Sequence, residues 1–389
     1  MKIRPKVLIA APFCSLPGEP YFNRFLYLAN LLSENYDVTL LTSRFRHFDK
    51  IHRASNANFN ENFKVVLIDE PGYKKNVGVG RLYSHHVFCK NFYNYLKAGA
   101  RYDLVYSAYP LIQTNIILGG LKRKLGFKLI IDVQDVWPEA ISAVIPVVSK
   151  LPLRVLPFTS KANMAYKAAD GLVAVSKTYM DRALLSLNKS VPCEIVYLGS
   201  SLGAYNLTSV VNTPDEVFRM GYLGTLSHSY DVETVMAGVS ELVAEGYEIE
   251  LHIFGGGPFE ERLKSKGCRG VVFHGFVDFG SAIEFIRTCQ IAINAIASGA
   301  PQSVTNKLSD YLALGIPLIN SQQNAEVAAL LKSVDHENYN PGSVNSFKLA
   351  FSRIYDRRQQ LRFRPNPHFV REVEYKRIER LLHDVLEGY

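Results

Sequence analysis

Short runs of consecutive apolar residues recur along the chain at spacings that leave room for a helix between them. In the first half they are Lys6–Ala11, Val38–Leu41, Lys64–Ile68, Leu104–Tyr106, Lys128–Val133, Gly171–Val175 and Glu194–Tyr197. Such runs read as buried strands, and their alternation with helical stretches predicts parallel βαβ units wound into an open sheet. The pattern pauses at 199–215, a polar, glycine-containing stretch without sustained periodicity, which reads as a linker. A second series follows at Phe218–Tyr222, Glu248–Phe254, Val271–Phe273, Ile291–Ala295 and Leu318–Asn320, with helices expected near 231–245, 258–266, 280–289, 306–314 and 323–332. The expected fold class is α/β, with two Rossmann-like doubly wound domains facing across a cleft. Their expected bounds are 1–200 and 216–365, joined by a linker at 201–215. The end of the chain, HFVREVEYKRIERLLHDVLEGY, predicts one charged amphipathic helix within 366–389, packing back on the first domain. Phe369, Val373, Ile378, Leu381, Leu382 and Val385 would share its apolar face.

Composition agrees with this picture and narrows it. The 389 residues are long for one core and comfortable for two of roughly 150–200 residues each. With 48% hydrophobic and 21% charged residues, the chain has the balance of a globular protein. No apolar stretch reaches the ~20 residues of a membrane span, and the longest candidate, 140–148, contains Pro146. The opening MKIRPKVLIAAPFC has the charge order of a signal peptide, but its apolar run is only Val7–Ala11 before Pro12, as in a first buried strand. The five cysteines, Cys14, Cys89, Cys193, Cys268 and Cys289, are dispersed and never form a CxxC pair. That argues against a disulfide framework or a zinc site and fits a reducing cytoplasm. The net charge of +8 is unevenly placed: residues 1–200 hold 26 Lys/Arg against 14 Asp/Glu, and residues 201–389 hold 18 against 22.

Four segments carry candidate chemistry. Residues 301–317, PQSVTNKLSDYLALGIP, form a polar turn running into a short helix stopped by Gly315 and Pro317. The turn at Ser303, Val304 and Thr305 and the start of the helix offer free N–H groups to an anion, and Lys307 adds a cation. Asp310, at i+3, suits a ribose diol, because an ionised carboxylate accepts two hydroxyl hydrogen bonds. An ordinary capped helix would have the same local sequence. The second segment, Asp132-Val133-Gln134-Asp135-Val136-Trp137-Pro138-Glu139, follows an apolar strand. There Asp135 is a candidate to orient a sugar hydroxyl or act as a general base, or simply to cap the next helix. The third comprises strand-to-helix turns: Gly18 after the first strand, Gly224, Thr225, Ser229 and Asp231 at the start of the second series, and the run Gly255-Gly256-Gly257. The first turn lacks GxGxxG, which disfavours a nicotinamide dinucleotide site.

The fourth segment contains no acid. Between Glu70 and Asp103 lie Lys74, Lys75, Arg81, Lys90, Lys97 and Arg101, interleaved with tyrosines and phenylalanines. A helix over 82–98 would put Phe88, Phe92 and Tyr95 on one face and His86, Lys90 and Lys97 on the other. Such a face suits an anionic membrane surface or phosphate-bearing lipid, or is a solvated basic face. No nucleic-acid-binding motif accompanies it.

Taken in order, the Gly18 turn, DVQDVWPEA, GYLGTLSHSYDVETV, IFGGGP, FHGFV and TNKLSDYLALGIPLIN resemble family-4 retaining glycosyltransferases of the GT-B fold. The likeness is greatest to bacterial members that build surface polysaccharides such as lipopolysaccharide and capsule. It implies a second domain that binds a nucleotide diphosphate sugar and a first domain that binds the acceptor, with no metal or other cofactor. The donor would meet Gly18, Gly224, Thr225, Ser229, Gly256, Phe276, Gln302, Ser303, Val304, Thr305, Asn306 and Asp310, with Asp135 and Lys307 in catalytic roles. Asp310 falls at the second acidic position of the family's E-x7-E signature. Gln302 stands at the first, Thr225 and Tyr230 or its neighbours stand where Arg and Lys are usual, and Gln134 stands where many members have His. Lys307 and the 303–305 backbone are the expected substitute for the diphosphate clamp. The resemblance and the basic first half together imply a lipid-linked saccharide acceptor. They also imply peripheral attachment to the inner face of the plasma membrane through Lys74, Lys75, Arg81, Lys90 and Lys97. A nucleotide-sugar 2-epimerase of the same architecture, or a weakly catalytic subunit of a polysaccharide assembly complex, are the other readings of these departures.

Overall fold

The computed structural model describes residues 4–19, 24–54, 59, 61–76, 78–99, 101–137, 139, 156–201, 217–300 and 303–388. The chain divides into two compact units, Met1–Val196 with Tyr375–Tyr389, and Tyr197–Glu374.

The first unit is built on a parallel sheet of β1 (Lys6–Ala10), β2 (Asp37–Ser43), β3 (Lys64–Ile68), β4 (Leu104–Tyr109), β5 (Lys128–Val133), β6 (Gly171–Ala174) and β7 (Cys193–Ile195), in the order β3-β2-β1-β4-β5-β6-β7. Its helices are α1 (Arg24–Leu32), α2 (Val79–Lys97), α3 (Ile112–Leu125), α4 (Thr159–Lys167) and α5 (Lys177–Leu184). Strand alternation divides the core between the two faces. Val7 and Ile9 of β1 pack with Leu28 and Leu32 of α1, while Leu8 and Ala10 face Phe88 and Phe92 of α2. Both faces are apolar because parallel sheets are covered on each side.

The second unit repeats the plan with β8 (Phe218–Leu223), β9 (Ile249–Phe254), β10 (Val271–Gly275), β11 (Ile291–Asn294), β12 (Leu318–Asn320) and β13 (His336–Asn338), in the order β10-β9-β8-β11-β12-β13. Its helices are α6 (Val232–Ala244), α7 (Glu260–Lys264), α8 (Phe279–Ile286), α9 (Asn306–Leu314), α10 (Ala325–Leu331), α11 (Val344–Asp356) and α12 (Arg371–Glu374). Two elements lie beyond the expected series. β13, with the sequence HEN, is a polar edge strand that no apolar run announces. α11 buries Phe347, Ala350, Phe351 and Ile354 at helical spacing. Of the expected linker at 201–215, only Ser201 lies within the described residues.

The single C-terminal helix is corrected. α12 is separated at Tyr375 from α13 (Lys376–Glu387). Phe369 is fully buried in the second unit, stacked on Tyr197 with ring centroids 4.7 Å apart, and Val373 is 53% exposed. Ile378, Leu381, Leu382 and Val385 instead join the first unit's core. Tyr375 itself is anchored there, edge-on to Tyr27 and 5.1 Å beneath the Arg24 guanidinium, so one apolar face does not run through the whole segment. The basic helix does form: His86, Lys90 and Lys97 are exposed, Phe88 and Phe92 are buried, and Tyr95 is half-buried.

Candidate functional site

In the second unit, the carboxyl ends of β8 and β9 lead into loops that touch through their backbones. Gly224 donates its N–H to Phe254 O at 2.9 Å, and Leu226 donates to Gly256 O at 2.9 Å. A Cβ on Gly255, whose φ is +119°, would lie 2.2 Å from the Gly224 carbonyl oxygen, and one on Gly257 would lie 2.5 Å from that of Leu226. The glycine run is therefore required by a close approach of two loops, beyond the needs of a tight turn. Gly256 sits under the Phe276 ring, where a Cβ would come within 2.8 Å.

These loops, Phe276, Val277, the start of α8 and α9 enclose a cavity of about 250 Å³. Gly224, Phe276, Asn306, Lys307 and Asp310 line it, together with Leu223, Phe254, Gly255, Val277, Phe279 and Ala282. Thr305 caps α9 by accepting the Leu308 N–H at 3.3 Å, and Gly315 ends the helix in the left-handed region at φ +66°. The first-turn amides of Asn306 and Lys307 have no acceptor inside the helix.

Lys307 is only 5% exposed. Its ammonium donates to the Tyr222 hydroxyl at 3.1 Å and lies 4.3 Å and 3.8 Å from the ring centroids of Tyr222 and Tyr230. Burial holds its pKa well below that of an ordinary lysine, and among the described residues no carboxylate offsets the effect. Asp310, one turn further along, is 8% exposed. Burial pushes its pKa up to about 7, against the weaker opposing influence of the Ser200 hydroxyl and the Arg371 guanidinium. The cavity wall thus holds a cation and a carboxyl, both removed from water and both incompletely compensated. Such a pair of sites favours a ligand with an anionic part and a hydroxyl-bearing part.

The other expected donor residues are placed differently. Ser303 and Val304 are buried, and the Ser303 hydroxyl donates to Glu326 at 3.2 Å. Thr225 is exposed, and its carbonyl accepts the Tyr222 hydroxyl at 2.9 Å. The Ser229 carbonyl accepts the Ala297 N–H at 3.0 Å. Asp231 stands at the N-cap of α6 without bonding its amides; its carboxylate accepts instead from Thr234 at 2.6 Å and from the Gly342 N–H at 2.9 Å. Gln302 lies outside the described residues.

In the first unit, Gly18 has φ +80° and, among the described residues, nothing within 4 Å of where a Cβ would be. Asp135 is partly buried. Burial raises its pKa, while the Val136 N–H, which it accepts at 2.8 Å, and Trp137 pull it down. Its neighbour Asp132 is fully buried and fully engaged, accepting Arg24 Nε at 2.8 Å, the Tyr106 hydroxyl at 2.7 Å and Gln134 Nε2 at 2.9 Å. Gln134 is thereby assigned to the framework. Lys74, Lys75, Lys90 and Lys97 are exposed, and Arg81 donates to the Asn76 carbonyl at 2.6 Å.

Sequence reasoning placed Tyr230 or a neighbour where the family's clamp is usual but did not foresee its ring beside Lys307, and it missed Tyr222, Ser200 and Arg371. The tyrosines flank a strand-to-helix turn that was already a candidate, so strand-end aromatics were an available signal. No local pattern connects Ser200 and Arg371 with Asp310.

A family model described as Glycosyl transferases group 1 matches residues 217–357. No curated protein matches the chain by sequence. Among solved structures, a sucrose-phosphate synthase from Thermosynechococcus elongatus is 13% identical with a TM-score of 0.70, over 99% of this chain and 100% of that one. The lipopolysaccharide outer core galactosyltransferase WaaB, in its apo form, is 16% identical with a TM-score of 0.64, over 97% of this chain and 99% of that one. Anabaena Alr3699/HepE, in complex with UDP and glucose, is 14% identical with a TM-score of 0.63, over 98% of this chain and 100% of that one. Among the described residues no helix is long and apolar enough to cross a membrane, and no group of three or more His, Cys, Asp or Glu could hold a metal ion. The chain has the GT-B fold of two Rossmann-like domains, and its second domain carries the match to the group 1 glycosyl transferases.

Proposed function

We propose that the chain transfers a sugar, with retention of anomeric configuration, from a nucleotide diphosphate sugar to a lipid-linked saccharide during assembly of a bacterial surface polysaccharide. The observation that carries the donor assignment is the placement of Lys307 and Asp310 together on one cavity wall, each buried and incompletely compensated. The ammonium of Lys307 and the first-turn amides of α9 hold the donor diphosphate. Their attraction grows as negative charge accumulates on the departing diphosphate, and with Lys307 only 5% exposed it is weakly screened. Loss of one such preorganised donor costs about 3 kcal/mol in the transition state. Asp310 accepts the two ribose hydroxyls once it is ionised, so donor affinity rises as pH climbs through about 7. In the first unit, Asp135 orients the acceptor hydroxyl.

The similarity in fold to a lipopolysaccharide galactosyltransferase and to a protein holding UDP and glucose supports a nucleotide-sugar donor. The retaining mode is supported by the resemblance of DVQDVWPEA and TNKLSDYLALGIPLIN to family-4 motifs. The acid-free basic stretch supports an anionic lipid acceptor and contact with the inner membrane surface.

Thermal unfolding in the presence of UDP, GDP, ADP and their sugars tests the donor site. One diphosphate at a hundred times its Kd should stabilise the protein by about 2.7 kcal/mol, and the double variant Lys307→Ala/Asp310→Ala should lose that shift. An unchanged shift in the double variant would show the assignment to be wrong.

A further inference from the structure

The two halves of the second unit's sheet end in different chemistry. On one half, β8, β9 and β10 finish in Leu223, Phe254 and Gly275. On the other, β11, β12 and β13 each finish in an asparagine, and the parallel register sets Asn294, Asn320 and Asn338 in one row. Asparagine is depleted in strands, and a buried amide is costly unless its polar atoms are bonded. Here the amides form a chain: Asn294 Nδ2 donates to Asn320 Oδ1 at 2.8 Å, and Asn320 Nδ2 donates to Asn338 Oδ1 at 2.7 Å. Asn294 and Asn320 are buried and Asn338 is exposed, so the chain runs from the core to the surface. At its inner end Asn294 Oδ1 is buried with no hydrogen-bond partner among the described residues, so the fold does not fully satisfy the row.

The outer end opens into a pocket of about 350 Å³, toward the small end of the range for small-molecule sites. Asn320, Gln322, Gln323, Asn324 and Asn338 bring five carboxamides to it, and Ala325 and Ala328 add a shallow apolar wall. Among the described residues no charged side chain lines it, and it shares no lining residue with the cavity of Lys307 and Asp310. Asn324 is engaged in capping α10, where it accepts the Val327 N–H at 2.7 Å, and Gln322 donates to the Ser303 carbonyl. The amides best placed to meet a ligand are those of Gln323 and Asn338, both exposed. A carboxamide presents donors and an acceptor in one plane, which matches neighbouring hydroxyls that each donate and accept. An ion would find no counter-charge here. A nucleobase would find no aromatic face to stack on, because the Tyr339 of the lining is 2% exposed.

We propose that this pocket is a second saccharide site, holding one neutral sugar residue of the glycan on which the enzyme acts, apart from the sugar of the nucleotide donor. The source of that sugar rests on the glycosyltransferase reading, whereas the preference for a neutral polyol follows from the lining itself. The sugar's hydroxyls bond to the Gln323 and Asn338 amides, and its C–H face lies against Ala325 and Ala328.

Saturation-transfer NMR on the whole protein, with the methyl glycosides of glucose, galactose and N-acetylglucosamine, reads this binding directly. At least one should bind saturably with a Kd on the order of millimolar. Ala328→Trp, at an exposed helix position, fills the pocket and should abolish the signal while the nucleotide-induced thermal shift persists. Asn338→Ala and Gln323→Ala should each weaken binding roughly threefold to tenfold, the weight of one hydrogen bond. The Lys307→Ala/Asp310→Ala double variant should bind the saccharide as the parent does. The proposal is overturned if no glycoside binds saturably, as expected of asparagines that only cap the sheet, or if Ala328→Trp leaves binding intact. It is overturned too if the double variant loses binding, which would place the sugar in the donor cavity. Displacement of the glycoside by uridine or adenosine, with nucleoside binding also lost in Ala328→Trp, would make the pocket a base site and overturn it as well. Loss of saccharide binding with the nucleotide shift intact rejects this pocket alone, whereas saccharide binding without any nucleotide shift rejects the donor assignment alone.

Discussion

Two aspartates, one in each unit, are buried to nearly the same degree and have opposite surroundings. Asp132 is fully buried at the end of β5 and accepts hydrogen bonds from Arg24, Tyr106 and Gln134. Arg24 in turn donates to the Val196 carbonyl at 2.8 Å and lies over the Tyr375 ring. Asp310 is 8% exposed, borders a cavity, and among the described residues is opposed by Ser200 and Arg371, too little to cancel its desolvation. Saturation of the first carboxylate makes it a strut between α1, β4 and β5. Under-saturation of the second leaves hydrogen-bonding capacity for something the protein does not itself provide. At equal burial, then, the number of partners separates a framework acid from one left facing a cavity.

The largest effect that would break this contrast comes from removing the partner of the saturated acid. Arg24→Met should lower stability by about 3–5 kcal/mol, because it strands a buried carboxylate, whereas Asp310→Asn should not destabilise at pH 8. Calorimetric unfolding of both variants decides it, and an equal fall in the two would abolish the distinction.

A smaller effect sharpens it through pH. The pKa of Asp310 is raised from 3.8 to about 7 by folding, so the stability linked to its protonated form is full below 3.8 and is lost as pH rises through about 7. Urea unfolding at pH 5 and pH 8 should therefore show Asp310→Asn gaining on the parent as pH rises, by an amount on the order of 1 kcal/mol or more. Nucleotide affinity of the parent should move the opposite way, strengthening over the same interval. If stability and affinity both ignored pH near 7, Asp310 would not be the under-saturated group described.

The smallest effect concerns the loops around the cavity. Gly255→Ala sets a Cβ against the Gly224 carbonyl and should cost roughly 1–3 kcal/mol together with nucleotide affinity. Gly246→Ala, at φ +95° with nothing within 4 Å, should carry only the backbone strain, about 1 kcal/mol, and leave nucleotide affinity alone. Comparable nucleotide Kd values for the two variants would mean that the loop contact does not shape the cavity.

Much of the architecture was legible from local pattern. Buried parallel strands are nearly continuous apolar runs, so β1 to β12 announced themselves, whereas the edge strand β13, with the sequence HEN, had no such mark. The turn before α9 and the pair Lys307 and Asp310 were also legible, because polar turns, helix starts and i+3 spacing are local properties. The continuous C-terminal helix failed because periodicity cannot tell which core receives each apolar residue. Phe369 and Val385 fit one helical face on paper, yet they pack in different units.

What the sequence alone determined was therefore the series of elements and the addresses of the loops between them, since these follow from side-chain periodicity and backbone preference over a few residues. Tertiary structure alone decided which charges are satisfied. Arg24 meets Asp132 across 108 positions of sequence, and Asp310 is opposed by Ser200 and Arg371, which are distant on either side of it. Desolvation and hydrogen bonding depend on neighbours in space, and only the folded sheet edges bring those neighbours together.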